Sequence, residues 1–376
     1  MDAAWSDFAH TGPGTLAGRY MRMFWQPVYL AEELRPGRAV PIRIMNENFT
    51  LYRGAEGLPH LLAFRCAHRG TQLSTGWVEG DNLRCFYHGW LYDASGQCVQ
   101  QPAEPEPFCE RVRVRGYPTR EYQGLIFAFF GEGHPPELPL FPELEGDGVL
   151  HVRTYTWPCN YFQSVENNLD ASHVGFAHHH PEAGHEQPSR PLIVGEETEY
   201  GIRRTTSRPD GSVRVGHFHM PNVAHLYRAS RLPGSWMDIV VTRVPIDDEH
   251  FVSFGRSFLH ITGMPPELAR ASYGSRASAP RISVSDLGDA VLRGEIDVRE
   301  VADRVGDATR QLELEDYVAQ VGQGPIAQRE RDHLGKADAE IALLRRIWRR
   351  ELRALAEGRP LKQWRRPAEA LRASAE

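Results

Sequence analysis

Three things are scarce in this chain of 376 residues, and each scarcity closes off a class of function. No apolar run approaches the roughly 18 residues that a membrane-spanning helix needs, so no membrane role is expected. Positive charge is short: a net charge of -6 leaves no basic excess to neutralise phosphates, which argues against nucleic acid as a partner. Cysteine is sparse, five in the whole chain, which fits a reducing compartment better than a disulfide framework. The opening MDAAWSDFAH also lacks the charged and apolar regions of a signal peptide, and the expected location is cytoplasmic.

What remains is an ordinary globular composition, 41% hydrophobic and 24% charged, in a length that suits two domains or one large one. Residues 1–24 read as an amphipathic lead-in. Val40 to Arg53 reads as a hairpin turning at Asn46-Glu47-Asn48, and residues 60–65 as a strand ending at Cys66. GLIFAFFG, residues 124–131, is apolar enough to be a strand buried on both faces. Prolines and glycines crowd the following stretch to residue 148, so the domain boundary is placed near 145. Further on, Trp236 to Val244 and Phe251 to Ile261 read as paired strands around Asp247-Asp248-Glu249, and residues 271–280 as a loop.

Two stretches carry chemistry. In the β-rich third, Cys66-Ala67-His68 is followed, after sixteen intervening residues, by Cys85-Phe86-Tyr87-His88-Gly89-Trp90. Zinc accepts two cysteines and two histidines, but zinc fingers group like with like. Mixed pairs suit a Rieske [2Fe–2S] cluster, in which two thiolates hold one iron and two imidazoles the other. Cys98, Cys109 and Cys159 have no such partners and read as small buried residues.

The second stretch is VENNLDASHVGFAHHH, Val165 to His180. On an ideal helix His173 and His178 would stand about 140° apart, so sharing one ion requires a distortion, for which Gly175 is placed. Asn167, Asp170 and His173 are spaced three apart and would stack along one helical face. That would put the Asp170 carboxylate within reach of the free ring nitrogen of His173. His179, His180 and His185 read as solvated loop histidines.

Together these motifs resemble the catalytic α subunit of the Rieske non-haem iron oxygenases, over nearly the whole chain. CAHRGTQLSTGWVEGDNLRCFYHGW resembles the family's Rieske domain, and VENNLDASHVGFAH its Asn-x-x-Asp-x-x-His-x4-His iron motif. GQGPIAQRERDHLGKADAEIALLRR is most similar to the phthalate-oxygenase branch, which includes aryl-ether demethylases. The resemblance implies an α+β fold: a β-rich Rieske domain (1–145), then a helix-grip type catalytic domain (146–360), an antiparallel sheet with helices, and a tail (361–376). It implies that Cys66, His68, Cys85 and His88 hold the cluster and that His173 and His178 hold a catalytic iron(II).

A two-histidine, one-carboxylate site needs a third ligand. Asp303, Asp307, Glu313, Glu315, Asp316, Asp332 and Asp338 are the candidates; the family's acidic pair followed by apolar residues matches LELEDYVAQ and selects Asp316, with Glu315 next. Asp332 and Asp338 fit a salt-bridged surface. His217, Phe218, His219 and Tyr227 are candidates to face a cavity beside the iron. Residues 337–356 form an amphipathic helix with an arginine-rich outer face, Arg345, Arg346, Arg349, Arg350 and Arg353, read as solvated or as a docking face for an acidic redox partner.

The function implied is a terminal oxygenase that uses O2, with electrons from NAD(P)H through a reductase or ferredoxin, to hydroxylate an aromatic compound, including by O-demethylation. The family also implies a homo-oligomer, commonly a trimer, in which Asp170 links His173 to the cluster histidine His88 of a neighbouring subunit. The alternatives are a Rieske electron carrier without oxygenase activity and a zinc-stabilised binding protein.

Overall fold

The computed structural model describes residues 4–178, 191–230, 235–261, 267, 283–305, 308–371 and 374–375. The expected loop at 271–280, His179, His180, His185 and Asp307 lie outside these residues. A short helix α1 (Leu16–Met21) precedes β1 (Trp25–Leu30). Next come β2 (Ala39–Ile44), β3 (Glu47–Arg53) and β4 (Pro59–Ala63), then the short strands β5 (Trp77–Glu79), β6 (Asn82–Arg84), β7 (Leu91–Tyr92) and β8 (Cys98–Gln100). β9 (Gly116–Tyr117), β10 (Thr119–Tyr122) and β11 (Leu125–Phe129) complete this part. Its sheets run β2-β3-β4-β9, β5-β6-β7-β8 and β1-β11-β10.

The β2–β3 hairpin turns at Met45-Asn46, one position earlier than the expected Asn46-Glu47-Asn48. Both residues have positive φ, 50° and 65°, the conformation of a two-residue turn matched to strand twist. The turn is held from outside: Met45 N–H donates to the Pro245 carbonyl (2.8 Å) and Asn46 N–H to that of Ile246 (3.0 Å). Every residue of β11 is buried, as its unbroken apolar run predicts, and Arg256 of the second part reaches over Phe127 (5.6 Å).

After a stretch whose only regular element is a single turn at Pro142–Leu144, β12 (Gly148–Trp157) opens the second part. Helices α2 (Tyr161–Asn167) and α3 (Val174–Ala177) follow, then β13 (Leu192–Glu197), β14 (Gly201–Ser207), β15 (Val213–His219), β16 (Val223–Ala229), β17 (Trp236–Pro245) and β18 (Phe251–His260). Helices α4 (Val284–Leu292), α5 (Val301–Val305), α6 (Ala308–Val321) and α7 (Ala339–Ala356) close the chain, and β19 (Ser374–Ala375) pairs with β15. The strands form one antiparallel sheet in the order β12-β18-β17-β16-β15-β14-β13. β17 and β18 pair with Trp236 opposite His260 and Pro245 opposite Phe251, around the expected turn.

Alternation gives this sheet two faces of different use. Phe218 and Ala224 join the core that contains Phe162, Val165 and Trp348, so their face lies under the helices. His217, His219 and Tyr227 project from the opposite face, which corrects the expectation that they line the cavity with Phe218. There His217 Nδ1 bonds the Tyr200 hydroxyl (2.8 Å), and His219 packs on Phe141 from the interdomain stretch (centroids 5.3 Å).

The lead-in, expected with the first domain, packs on the second. Phe8 stacks on Phe162 (4.9 Å), and Tyr20 meets Trp348 edge-on (5.2 Å). The tail also returns: Trp364 Nε1 donates to the Tyr20 hydroxyl (2.8 Å). Helix α7 buries Ile341, Leu344, Trp348 and Leu352, as its period requires. Its arginines are only partly a free basic face. Arg345 binds Glu166 and Asp332, Arg350 binds Glu197 and Glu351, and Arg353 binds Glu357, so three of the five charges are paired within the chain, while Arg349 donates to the neutral Ser6 hydroxyl.

Candidate metal centres

Two loops of matching build present the cysteine and histidine pairs. Cys66 N–H donates to the Thr71 carbonyl and Gly70 N–H to that of Cys66; likewise Cys85 N–H donates to Trp90 and Gly89 N–H to Cys85. Each loop closes through a glycine with φ near 75°, Gly70 and Gly89, a conformation that costs glycine nothing. The loops lay the thiols inward, Cys66 3% and Cys85 1% exposed, and the imidazoles outward. The His68 and His88 rings are 4.5 Å apart, and His68 lies flat on Trp90 (4.4 Å, 7°).

The donor set fits a cluster. Burial, with the Cys66 thiol close by, pushes the Cys85 thiol up, while the N–H groups of Tyr87 and His88 pull it down by pointing at its sulfur. Two thiolates side by side in this core need a cation between them. His68 Nδ1 is buried without a hydrogen-bond partner, as a ligand atom awaiting a metal would be.

The second centre departs from the helix expected for it. α2 stops at Asn167, because the Asp170 carboxylate accepts the N–H groups of Ser172 (2.9 Å) and His173 (3.2 Å) and folds the chain into a turn. The break therefore lies upstream of Gly175. His173 and His178 flank the one-turn helix α3 as its two caps, with rings 5.2 Å apart. From the facing helix α6, Asp316 Oδ1 comes to 3.6 Å from His173 Nε2 and 3.5 Å from His178 Nε2. Each of the three residues offers one ligand atom, all within 4.8 Å of one another, and no other such group occurs among the described residues.

Residues 24–119 match the family described as Rieske [2Fe-2S] domain. The chain is 30% identical, over 93% of its length and 80% of the relative's, to the 5,5'-dehydrodivanillate O-demethylase oxygenase subunit of a Sphingobium species. It belongs to the Rieske non-haem iron oxygenases, as a catalytic α subunit. It is also 31% identical to the phenoxybenzoate dioxygenase α subunit of Ectopseudomonas oleovorans, across 92% of this chain and 84% of that one. In fold it is similar to Pseudomonas putida CBB5 NdmB, with a TM-score of 0.69 at 19% identity, covering 90% and 93% of the two chains.

In this oxygenase the triad is braced on each side. Asn167 Nδ2 donates to Asp316 Oδ1 (3.2 Å), so the first expected site residue acts on the carboxylate rather than stacking with Asp170. Asp170 is occupied by backbone, and its other oxygen stands 3.8 Å from His173 Nδ1, beyond hydrogen-bonding reach. Glu315, weighed from sequence as a substitute ligand, instead faces the outer nitrogen of His178: Glu315 Oε2 is 2.8 Å from Nδ1. Gln311 Nε2 donates to the other Glu315 oxygen (3.2 Å). Burial pulls the His178 imidazolium down, yet Asp316 and Glu315 outweigh it and push it up to about 9. Burial raises the Asp316 carboxyl, and His178, His173 and Asn167 bring it below the usual range. Both shifts describe a pocket whose carboxylates draw positive charge.

Two partners escaped the sequence reading. Gln311 and Glu315 are spaced four apart, the interval of one helix face, which is a signal that could have paired them. Tyr92 bonds Cys66 Sγ (3.2 Å) and accepts the Ala67 N–H (3.2 Å), a contact across 26 positions with no local pattern. Among the described residues, no helix is long and apolar enough to cross a membrane.

Proposed function

We propose that Cys66, His68, Cys85 and His88 hold the [2Fe–2S] cluster, that His173, His178 and Asp316 hold one iron(II), and that the protein hydroxylates a ring-sized aromatic compound, including by O-demethylation of an aryl ether. The observation that carries this reading is the convergence of the three ligand atoms within 4.8 Å, because an electron carrier would need no such site. When bound, the iron supplies open positions for dioxygen and the cluster supplies an electron for its activation.

The chain's own residues do the rest. Glu315 holds the outer nitrogen of His178, leaving Nε2 to face the ion, and Asn167 fixes the Asp316 carboxylate. Asp170 sets the turn that aims His173, and it stands ready to accept a hydrogen bond from the His88 of a neighbouring subunit. Assembly as a homo-oligomer, a trimer, would then belong to the electron path. Electrons come from NAD(P)H through a cytoplasmic reductase or ferredoxin. Attack on a methoxy carbon releases a phenol and formaldehyde; attack on a ring edge gives a diol.

The test is a panel of methoxylated and carboxylated aromatics, supplied with NADH and a surrogate reductase, scored for products and formaldehyde. Iron-replete protein that consumes no oxygen in response to any ring compound would sink the reading.

A further inference from the structure

Gly216 sits mid-strand in β15, where glycine weakens a sheet and marks close approach by a ligand or another backbone. Gly148, Gly195 and Gly201 of this sheet have local reasons, whereas a Cβ at Gly255 would rest on the Arg153 side chain at 3.5 Å. A Cβ at Gly148 would strike the Leu259 carbonyl at 2.4 Å, one at Gly195 would press on Glu340 at 3.1 Å, and Gly201 has a φ of 151°. At Gly216 the backbone is ordinary, and a Cβ would meet only the His225 carbonyl at 3.4 Å and Leu226 at 4.0 Å. Nothing in the fold requires a glycine there.

Gly216 lies on the face of the sheet that the helices cover, the face it shares with Phe218. Gly216 pairs directly with Arg204, and directly paired residues share a face. Arg204 donates to the carbonyl of Asn168, next to the Asn167 that holds Asp316, and to Glu340 (2.9 Å). Following the same row across the sheet, Leu226, Ile239 and Ser257 are only half-buried, although they lie in central strands. One row away, Phe218, Ala224 and Val241 are buried. A half-buried row facing the helices, apolar at Leu226 and Ile239 and polar at Ser257, leaves room for a flat ligand between the sheet and its helices.

Resting on the function proposed above, we propose that Gly216, with Leu226 and Ile239, is the floor on which the substrate ring lies, and that Gly216 sets the thickness and size of ring admitted. The ligand class is a flat, apolar aromatic. Leucine at this position would fill the space with the strand intact.

The probe is 4-fluoroanisole, added without oxygen to ferrous protein with its cluster oxidised, and the reading is iron-dependent broadening of its fluorine resonance. Asp316→Ala, lacking the nearby iron, sets the zero. We expect Gly216→Leu to keep iron content and cluster spectrum but lose at least tenfold of the broadening. Gly216→Ala should fall between. Val215→Leu, on the opposite face, should match the unmodified protein. Equal broadening in Gly216→Leu, an equal loss in Val215→Leu, or no broadening in iron-loaded unmodified protein would overturn the proposal. Absence of any mononuclear iron would instead overturn the function on which it rests.

Discussion

Removing the Glu315 carboxylate should loosen the mononuclear iron while leaving its three ligands in place. Glu315 is 4% exposed, and its oxygen lies 2.8 Å from His178 Nδ1, so the pair is a desolvated, charge-assisted hydrogen bond. Such bonds contribute about 1.5–3 kcal/mol. At about 1.4 kcal/mol per tenfold, that predicts iron(II) binding roughly 10- to 100-fold weaker in Glu315→Ala, in line with outer partners of metal-bound histidines. Glu315→Gln keeps an acceptor oxygen and should lose about tenfold or less. The assay is anaerobic competition with a chromogenic ferrous chelator, with the cluster absorbance as an internal check on folding. Unchanged affinity in Glu315→Ala would refute the reasoning. Complete loss of iron would show instead that Glu315 is itself a ligand.

Tyr92→Phe should lower the cluster potential: a Cys66 thiolate holding the cluster has no proton to give, so the Tyr92 hydroxyl donates to its sulfur, where the bond favours the electron-rich state. A loss of about 1.4 kcal/mol is roughly 59 mV for one electron, read by redox titration, and an unmoved potential would mean that the proton points elsewhere. Asp170→Asn should keep both metals and the oligomeric state, yet its reduced cluster should fail to reoxidise when substrate and dioxygen are added in single turnover; normal reoxidation would take Asp170 out of the electron path. Burial, aided by His225, Arg366 and His217, holds His219 well below the usual histidine range, so the folded protein keeps it neutral while the unfolded chain protonates below about pH 6.5. Stability should therefore fall by about 1.4 kcal/mol per pH unit as pH drops below 6.5, and His219→Gln should flatten that slope in denaturant titrations; an unchanged slope would mean that His219 accepts its proton in the fold.

Much of this molecule was legible because its signals are local. The β17–β18 turn, the all-buried β11 and the apolar stripe of α7 each follow from period, spacing or turn residues within one short window. The fold class and Asp316 came through the resemblance, since nothing near residue 316 points to residue 173. What sequence could not show depends on long-range packing. The break in α2 arises because Asp170 prefers the backbone of Ser172 and His173 to a helical place. The face chosen by His217 and His219 depends on which side of the sheet the helices cover, which alternation alone leaves open. Arg345 and Arg350 of α7 look solvated until the acids that meet them, Glu166 and Glu197, are brought in from the rest of the chain.

The claim at the centre is that one chain holds two iron sites of different kinds. Iron analysis combined with Mössbauer spectroscopy on the purified protein tests it most directly. The account predicts about three irons per chain, two in a Rieske cluster with one iron bound by thiolates and the other by imidazoles, and a third as mononuclear high-spin iron(II) that disappears in Asp316→Ala. Two irons with no mononuclear component, or zinc in place of iron, would contradict it.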